Sequence, residues 1–271
     1  MKRAVILTLS NSNLLCDELY DTYKDSIPRE FMKYAYKGNS SLRIPLLAES
    51  AELAEAIQHA QSRGEQPRLF LESHYTPGEL KKHPYFEMLL PWPLELDGTF
   101  VEDYGTKFHG GCPFCGLDKK YAGDVYIDRK FVRKYRMGTL LNILFANEEV
   151  KNIVQENQLS GIDFMQMLKD YKGRELNGYH VAEINSVLPP LSSLTWVINH
   201  GVHNEKCGHA VRYLQSPLRY EEEKLSEAKD FNLSFEYLNN FQEQSIIVSA
   251  KVKQIFTKHK IFARFRPVDI D

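Results

Sequence analysis

Two short clusters constrain this chain more than anything else in it: Cys112-Pro113-Phe114-Cys115-Gly116, and, far downstream, His203-Asn204-Glu205-Lys206-Cys207-Gly208-His209. Two thiols separated by two residues, with glycine after the second, let the amides of a tight turn point at sulfur while both thiolates face one metal ion. Such a knuckle is half of a zinc site. The downstream cluster adds a third thiol, and Cys207-Gly208 has the form of the second half of another knuckle, whose first thiol belongs at position 204. Asn204 stands there instead, so an imidazole has to complete four-coordination. His203 and His209 are the two choices, and His109, just before the first knuckle, is a third. The expected centre is a structural zinc held by Cys112, Cys115, Cys207 and either His203 or His209. A closed centre of that kind staples distant segments and leaves no coordination position for substrate.

A chain of 271 residues, 43% hydrophobic and 12% aromatic, can build a substantial core as one large domain or two ordinary ones. Its formal net charge of −2 gives no overall bias toward nucleic acid or anionic membrane, so either would have to be met by a local patch. No apolar run approaches the ~20 residues that cross a bilayer, and the short apolar stretch after Lys2-Arg3 reads as a first strand. Three of the four cysteines fall in the clusters and Cys16 stands alone, the usage expected of a reducing compartment. The expectation is a cytoplasmic protein without a membrane segment.

Along the chain, residues 4–9 suit a strand, and Leu46 to Arg63 places Leu47, Ala51, Leu53, Ala54, Ile57 and Ala60 at helical spacing, ending at Gly64. Residues 68–72 read as a strand. Thr76-Pro77-Gly78-Glu79 is a helix start, with Thr76 as cap and Glu79 closing a capping box. Residues 91–111 suggest a hairpin feeding the first knuckle. A soft boundary near residue 100 then separates an N-terminal α/β region, 1–100, of unassigned role from a knuckle-containing α+β domain, 101–271.

The C-terminal part carries a degenerate repeat. Asn147 to Val154, followed by Leu159 and Phe164, lies over Ser249 to Phe256, followed by Ile261 and Phe265, with one gap needed to hold the last pair. Each copy has an apolar stretch, a capping Asn147 or Ser249, about ten helical residues and then a strand. The expected fold class is therefore α+β, with mixed sheets, short helices, two similar strand-helix-strand units and the zinc-knuckle staple.

Catalytic readings find little to stand on. His203-x-Glu205 with Cys112-x-x-Cys115 supplies the ingredients of a zinc deaminase, but in that site the His-x-Glu precedes the cysteine pair, and here the order is reversed. There is no His-Glu-x-x-His; His180-Val181-Ala182-Glu183 is a fragment of one and is expected on a surface turn. No phosphate-cradling glycine loop or serine-nucleophile elbow occurs. With no convergent acid, base and nucleophile, the chain reads as a non-enzyme.

Basic and aromatic residues interleave from Lys119-Lys120-Tyr121 through Arg129-Lys130-Phe131 to Arg133-Lys134-Tyr135-Arg136, a pattern that can neutralise and stack on single-stranded nucleic acid. Its plainer reading is a strand and turn with a solvated face. Glu49, Glu52 and Glu55, and Glu221-Glu222-Glu223 with Glu227, read as solvated helix faces that would also suit a basic protein partner. Trp92 and Trp196 are expected to be buried.

The mid-chain CPxCG knuckle, the later Cys-Gly, and the segment from Asn147-Glu148-Glu149-Val150-Lys151 to Leu159-Ser160-Gly161-Ile162-Asp163-Phe164 together resemble the double-CxxCG-motif proteins. Those are bacterial proteins grouped with the immunity proteins of polymorphic-toxin systems. The resemblance covers roughly residues 108–270 and departs from the family pattern at Asn204. It implies a protein that binds and neutralises a cognate protein toxin, with zinc purely structural. The alternative is a zinc-ribbon protein that binds or processes nucleic acid through residues 119–136.

Overall fold

The computed structural model describes residues 1–10, 13–38, 41–91, 107–112, 120–127, 129–140, 143–170, 172–202, 205–206, 208–238 and 243–271. These form two compact units: Met1–His83 with Leu194–Val197 and Leu214–Pro217, and Pro84–Ser193 with Ile198–Tyr213 and Leu218–Asp271. The chain divides after His83 and not near residue 100, because the strand Tyr85–Leu89 is hydrogen-bonded into a sheet of the second unit. The hairpin expected at 91–111 lies largely outside the described residues. Among the described residues the class is mixed α+β, with antiparallel sheets and short helices, and no helix is long and apolar enough to cross a membrane.

In the first unit, strand β1 (Lys2–Ser10) leads through helix α1 (Asn13–Tyr23) to β2 (Tyr36–Lys37) and β3 (Ser41–Leu47), then helix α2 (Ala51–Ser62), β4 (Arg68–His74) and α3 (Pro77–Lys82). The sheet runs β2-β3-β1-β4, antiparallel throughout. Strand alternation sends Val5, Leu7 and Leu9 into one core with Leu42, Ile44 and Leu46, under Leu15, Cys16 and Leu19 of α1 and Leu53, Ala56 and Ala60 of α2. Burying each large aliphatic chain stabilises by about 1.5–3 kcal/mol. Helix α2 starts later than its apolar spacing suggested. Leu46 is paired with Val5 in the sheet, and the Ser50 hydroxyl caps the helix by accepting from Leu53 N at 3.2 Å. The capping box at Thr76 forms as expected, with Glu79 N donating to Thr76 Oγ1 at 3.3 Å and Thr76 N to Glu79 Oε2 at 2.7 Å.

The second unit contains β5 (Tyr85–Leu89), β6 (Lys107–His109), β7 (Lys120–Ala122), helix α4 (Arg129–Lys134), β8 (Met137–Leu140), β9 (Ile143–Asn147), α5 (Glu148–Glu156), β10 (Ile162–Lys169) and β11 (Glu175–Ile184). After β12 (Val197–Val202) and β13 (Ala210–Leu214), which cross between the segments of the two units, come β14 (Arg219–Tyr220), β15 (Phe231–Leu238), β16 (Glu243–Ser249), α6 (Ala250–Lys258), β17 (Arg264–Pro267) and β18 (Asp269–Ile270). Two of its sheets have the same plan: β8-β9-β11-β10 and β15-β16-β5-β17. In each, a hairpin feeds a helix, the helix returns a strand, and an antiparallel middle strand fills the gap between the strands flanking the helix.

The repeat read from the sequence is thus matched turn by turn. Asn147 Oδ1 accepts from Val150 N, and Ser249 Oγ from Val252 N. Both helices end in a Schellman turn, with Leu159 N donating to Val154 O and Ile261 N to Phe256 O. The gap is real too. Phe164 faces Ala182 on β11 and Phe265 faces Met88 on β5, each two residues beyond the partner of the penultimate residue of β9 or β16. The first unit repeats the plan a third time: β2-β3-β1-β4 is again hairpin, helix and returning strand around a middle strand, and α2 closes with Glu65 N on Ala60 O.

The residue after each helix's C-cap sits in the left-handed region: Gly64 at φ 80°, but Gln158 at 50° and Lys260 at 53°. An L side chain there costs about 1–2 kcal/mol relative to helical φ, most of which glycine avoids. Gln158→Gly and Lys260→Gly should each raise stability by about 1 kcal/mol in denaturant titrations.

The two similar sheets of the second unit interlock through polar groups. Asp230 Oδ2 accepts from Ser160 N, and Oδ1 accepts from Ser249 Oγ at 2.6 Å, so one carboxylate clamps the exit of α5 and the cap of α6. Arg136 pairs with Glu149 at 2.6 Å and donates to the carbonyls of His259 and Lys260 at the end of α6.

Candidate metal centre

The two cysteine clusters fall, in sequence, between β6 and β7 and between β12 and β13. Strands β6 and β7 pair as Lys107↔Ala122, Phe108↔Tyr121 and His109↔Lys120. Gly110 and Gly111 take φ values of 66° and 67° directly before Cys112, a reversal that a side chain would strain. Strands β12 and β13 form a two-stranded sheet of their own. Gly208 takes φ 65° directly before His209.

Of the expected ligands, Cys112 and His209 are described, and both are half-buried. Cys115, Cys207 and His203 lie outside the described residues, and of His109 only the backbone in β6 is described. Among the described residues no three His, Cys, Asp or Glu side chains stand together as a metal site. Thiolate and imidazole, the side chains of Cys112 and His209, are ligand types that zinc takes. Cys16 takes no part; it is fully buried in the core of the first unit.

Other sequence expectations land differently. His180 to Glu183 lies in the C-terminal half of β11 and not on a surface turn, since Val181 and Ala182 are buried beside β9. His180 is 8% exposed, its Nε2 2.5 Å from Glu148 Oε2. That contact, with Lys151 beside it, holds the Glu148 carboxyl below the usual range. Trp196 is 41% exposed and not buried, and Trp92 lies outside the described residues. Glu222 and Glu223 sit on a short 3-10 helix, Glu222–Leu225, with exposed side chains. The basic run divides into β7 and α4, and Arg129 and Arg133 line a cavity of about 280 Å³ with Arg174, Asn177 and Tyr179.

A group the sequence did not announce is a buried polar cluster on β5. Glu87 is 8% exposed, accepts from Ser245 Oγ at 3.0 Å and lies 3.6 Å from Arg266 Nη1. Burial pushes its carboxyl up, against the opposing pull of Arg266 and Ser245. Tyr220 is fully buried, and burial together with the Glu236 and Glu87 carboxylates pushes its phenol up as well. The signal in the sequence was one Glu within the apolar run Tyr85 to Leu89. A carboxyl raised by folding favours the fold when protonated. Its contribution is fully present below the unfolded glutamate range and is lost as pH rises through the folded value. Wild-type stability should therefore carry a component that falls above about pH 4.3, and Glu87→Gln should remove it, as read from denaturant midpoints between pH 4 and 8.

Comparison with protein-family models gives no match, and none of the curated proteins compared with the chain matches it.

Proposed function

We propose that this is a non-catalytic immunity protein that binds and neutralises a cognate bacterial toxin, its second unit stapled by a structural zinc. The observation that supports the reading is that Cys112 and His209, the two expected ligands among the described residues, each directly follow left-handed glycines, Gly110-Gly111 and Gly208. Cys112, Cys115 and Cys207 with His203 or His209 would hold the ion. A zinc so ligated supplies folding free energy and no reactive water. The toxin as partner rests on the resemblance of residues 108–270 to the double-CxxCG-motif proteins.

The test is co-expression with toxin domains encoded beside the gene. A stoichiometric complex on gel filtration and rescued growth are expected, and Glu205→Ala should leave both intact. Loss of a measurable deaminase or hydrolase rate on that substitution, or no complex with any neighbouring toxin domain, would overturn the reading.

The cavity beside α4 favours a second reading, since Arg129, Arg133 and Tyr179 offer cations and a ring to single-stranded nucleic acid. That reading requires affinity for RNA or DNA that falls steeply with salt, whereas the immunity reading requires none.

A further inference from the structure

The first unit, for which sequence suggested no role, holds a cavity of about 640 Å³ at one end of its sheet. Its floor is one row of side chains. Tyr36 pairs with Arg43, Arg43 with Thr8, and Thr8 with Arg68, so four residues from β2, β3, β1 and β4 lie abreast. Directly opposed residues of antiparallel strands project to one face. Their strand neighbours Leu7, Leu9, Leu42 and Ile44 occupy the core under the helices, so the row faces away from that core.

The row is chemically one-sided. Arg43 and Arg68 flank Thr8, about 10 Å apart at the backbone by strand spacing, close enough for both guanidinium groups to meet one anion between them. Both are exposed, and among the described residues neither is paired with a carboxylate. The Thr8 hydroxyl is buried with no hydrogen-bond partner among the described residues. Tyr36 is 55% exposed at the end of the row and offers a ring face. Glu65 and Gln66, from the turn that ends α2, also line the cavity, as do Leu9 and Leu42 at the ends of β1 and β3.

The geometry points to a site for a nucleoside monophosphate. The phosphate lies between the exposed Arg43 and Arg68, whose planar forks match phosphate oxygens. The base stacks on Tyr36, and the sugar or base donates to Glu65, whose carboxylate leaves the cavity with one net positive charge for the phosphate. The volume lies within the range of small-ligand sites. This assignment does not rest on the toxin reading.

The test is calorimetric titration of the full chain with AMP, adenosine and inorganic phosphate at fixed salt. AMP should bind saturably at one site per chain, adenosine and phosphate each at least about tenfold more weakly. Arg43→Gln and Arg68→Gln, on exposed side chains with folding checked by circular dichroism, should each weaken AMP by about tenfold or more, the loss of a charged hydrogen bond. Tyr36→Ala should weaken AMP and leave phosphate unchanged. No saturable AMP binding, AMP no tighter than phosphate, or AMP affinity that survives Arg43→Gln with Arg68→Gln would overturn the assignment.

Discussion

On the proposed zinc staple, Cys112→Ser, Cys115→Ser and Cys207→Ser should each abolish stoichiometric zinc and destabilise the second unit by more than about 4 kcal/mol, the range reached when a structural metal is lost. At about 2–4 °C per kcal/mol for a domain of this size, the melting temperature of that unit should fall by ~10 °C or more. The reason is thermodynamic. The site is not preformed in the unfolded chain, so metal-binding free energy appears as folding free energy. Asn204→Ala should retain the metal, because only an imidazole or thiolate completes the set. Elemental analysis of each variant, alongside thermal scans with and without chelator, reads both outcomes. Unchanged zinc and unchanged melting in Cys112→Ser and Cys115→Ser together would remove the staple.

Gly161→Ala should cost about 2–5 kcal/mol, combining a left-handed backbone that alanine resists with overpacking against rigid neighbours. Gly161 sits at φ 89°, and a Cβ there would overlap the Phe231 carbonyl oxygen and press on the Lys229 side chain. Neither can retreat easily. Phe231 N donates to Ser160 O, and Asn185 N to Gly161 O, so the contact is where the two similar sheets of the second unit lock together. Gly64→Ala is the control: φ is 80°, but no atom would meet the new methyl, so only the backbone term of about 1 kcal/mol remains. Equal losses for the two variants in denaturant titrations would show that the Phe231 contact carries no energy.

Local chemistry wrote much of this fold openly. The Thr76 capping box, the caps at Asn147 and Ser249, and the spacing of Val150, Ile153 and Val154 against Val252, Ile255 and Phe256 are decided by residues within a turn of one another. The repeat was legible for that reason. Its third occurrence was not, because α2 is one turn longer and closes on Gly64 where the others close on Gln158 and Lys260. Helical spacing also ran too far at Leu46 and Leu47, where pairing with β1 outweighs periodicity.

What the sequence determined by itself, then, is the set of short-range devices: helix starts, caps and the glycine that ends α2. What only the tertiary structure decided is which strand fills each gap. β11 follows its helix in the chain, β1 precedes its own, and β5 joins β16 and β17 across most of the second unit. Backbone hydrogen bonds carry no residue identity, so pairing is chosen by how whole faces bury, and no local pattern records the choice. The row of Tyr36, Arg43, Thr8 and Arg68 has the same origin. Four residues scattered over sixty positions become one surface only because antiparallel register sets them abreast.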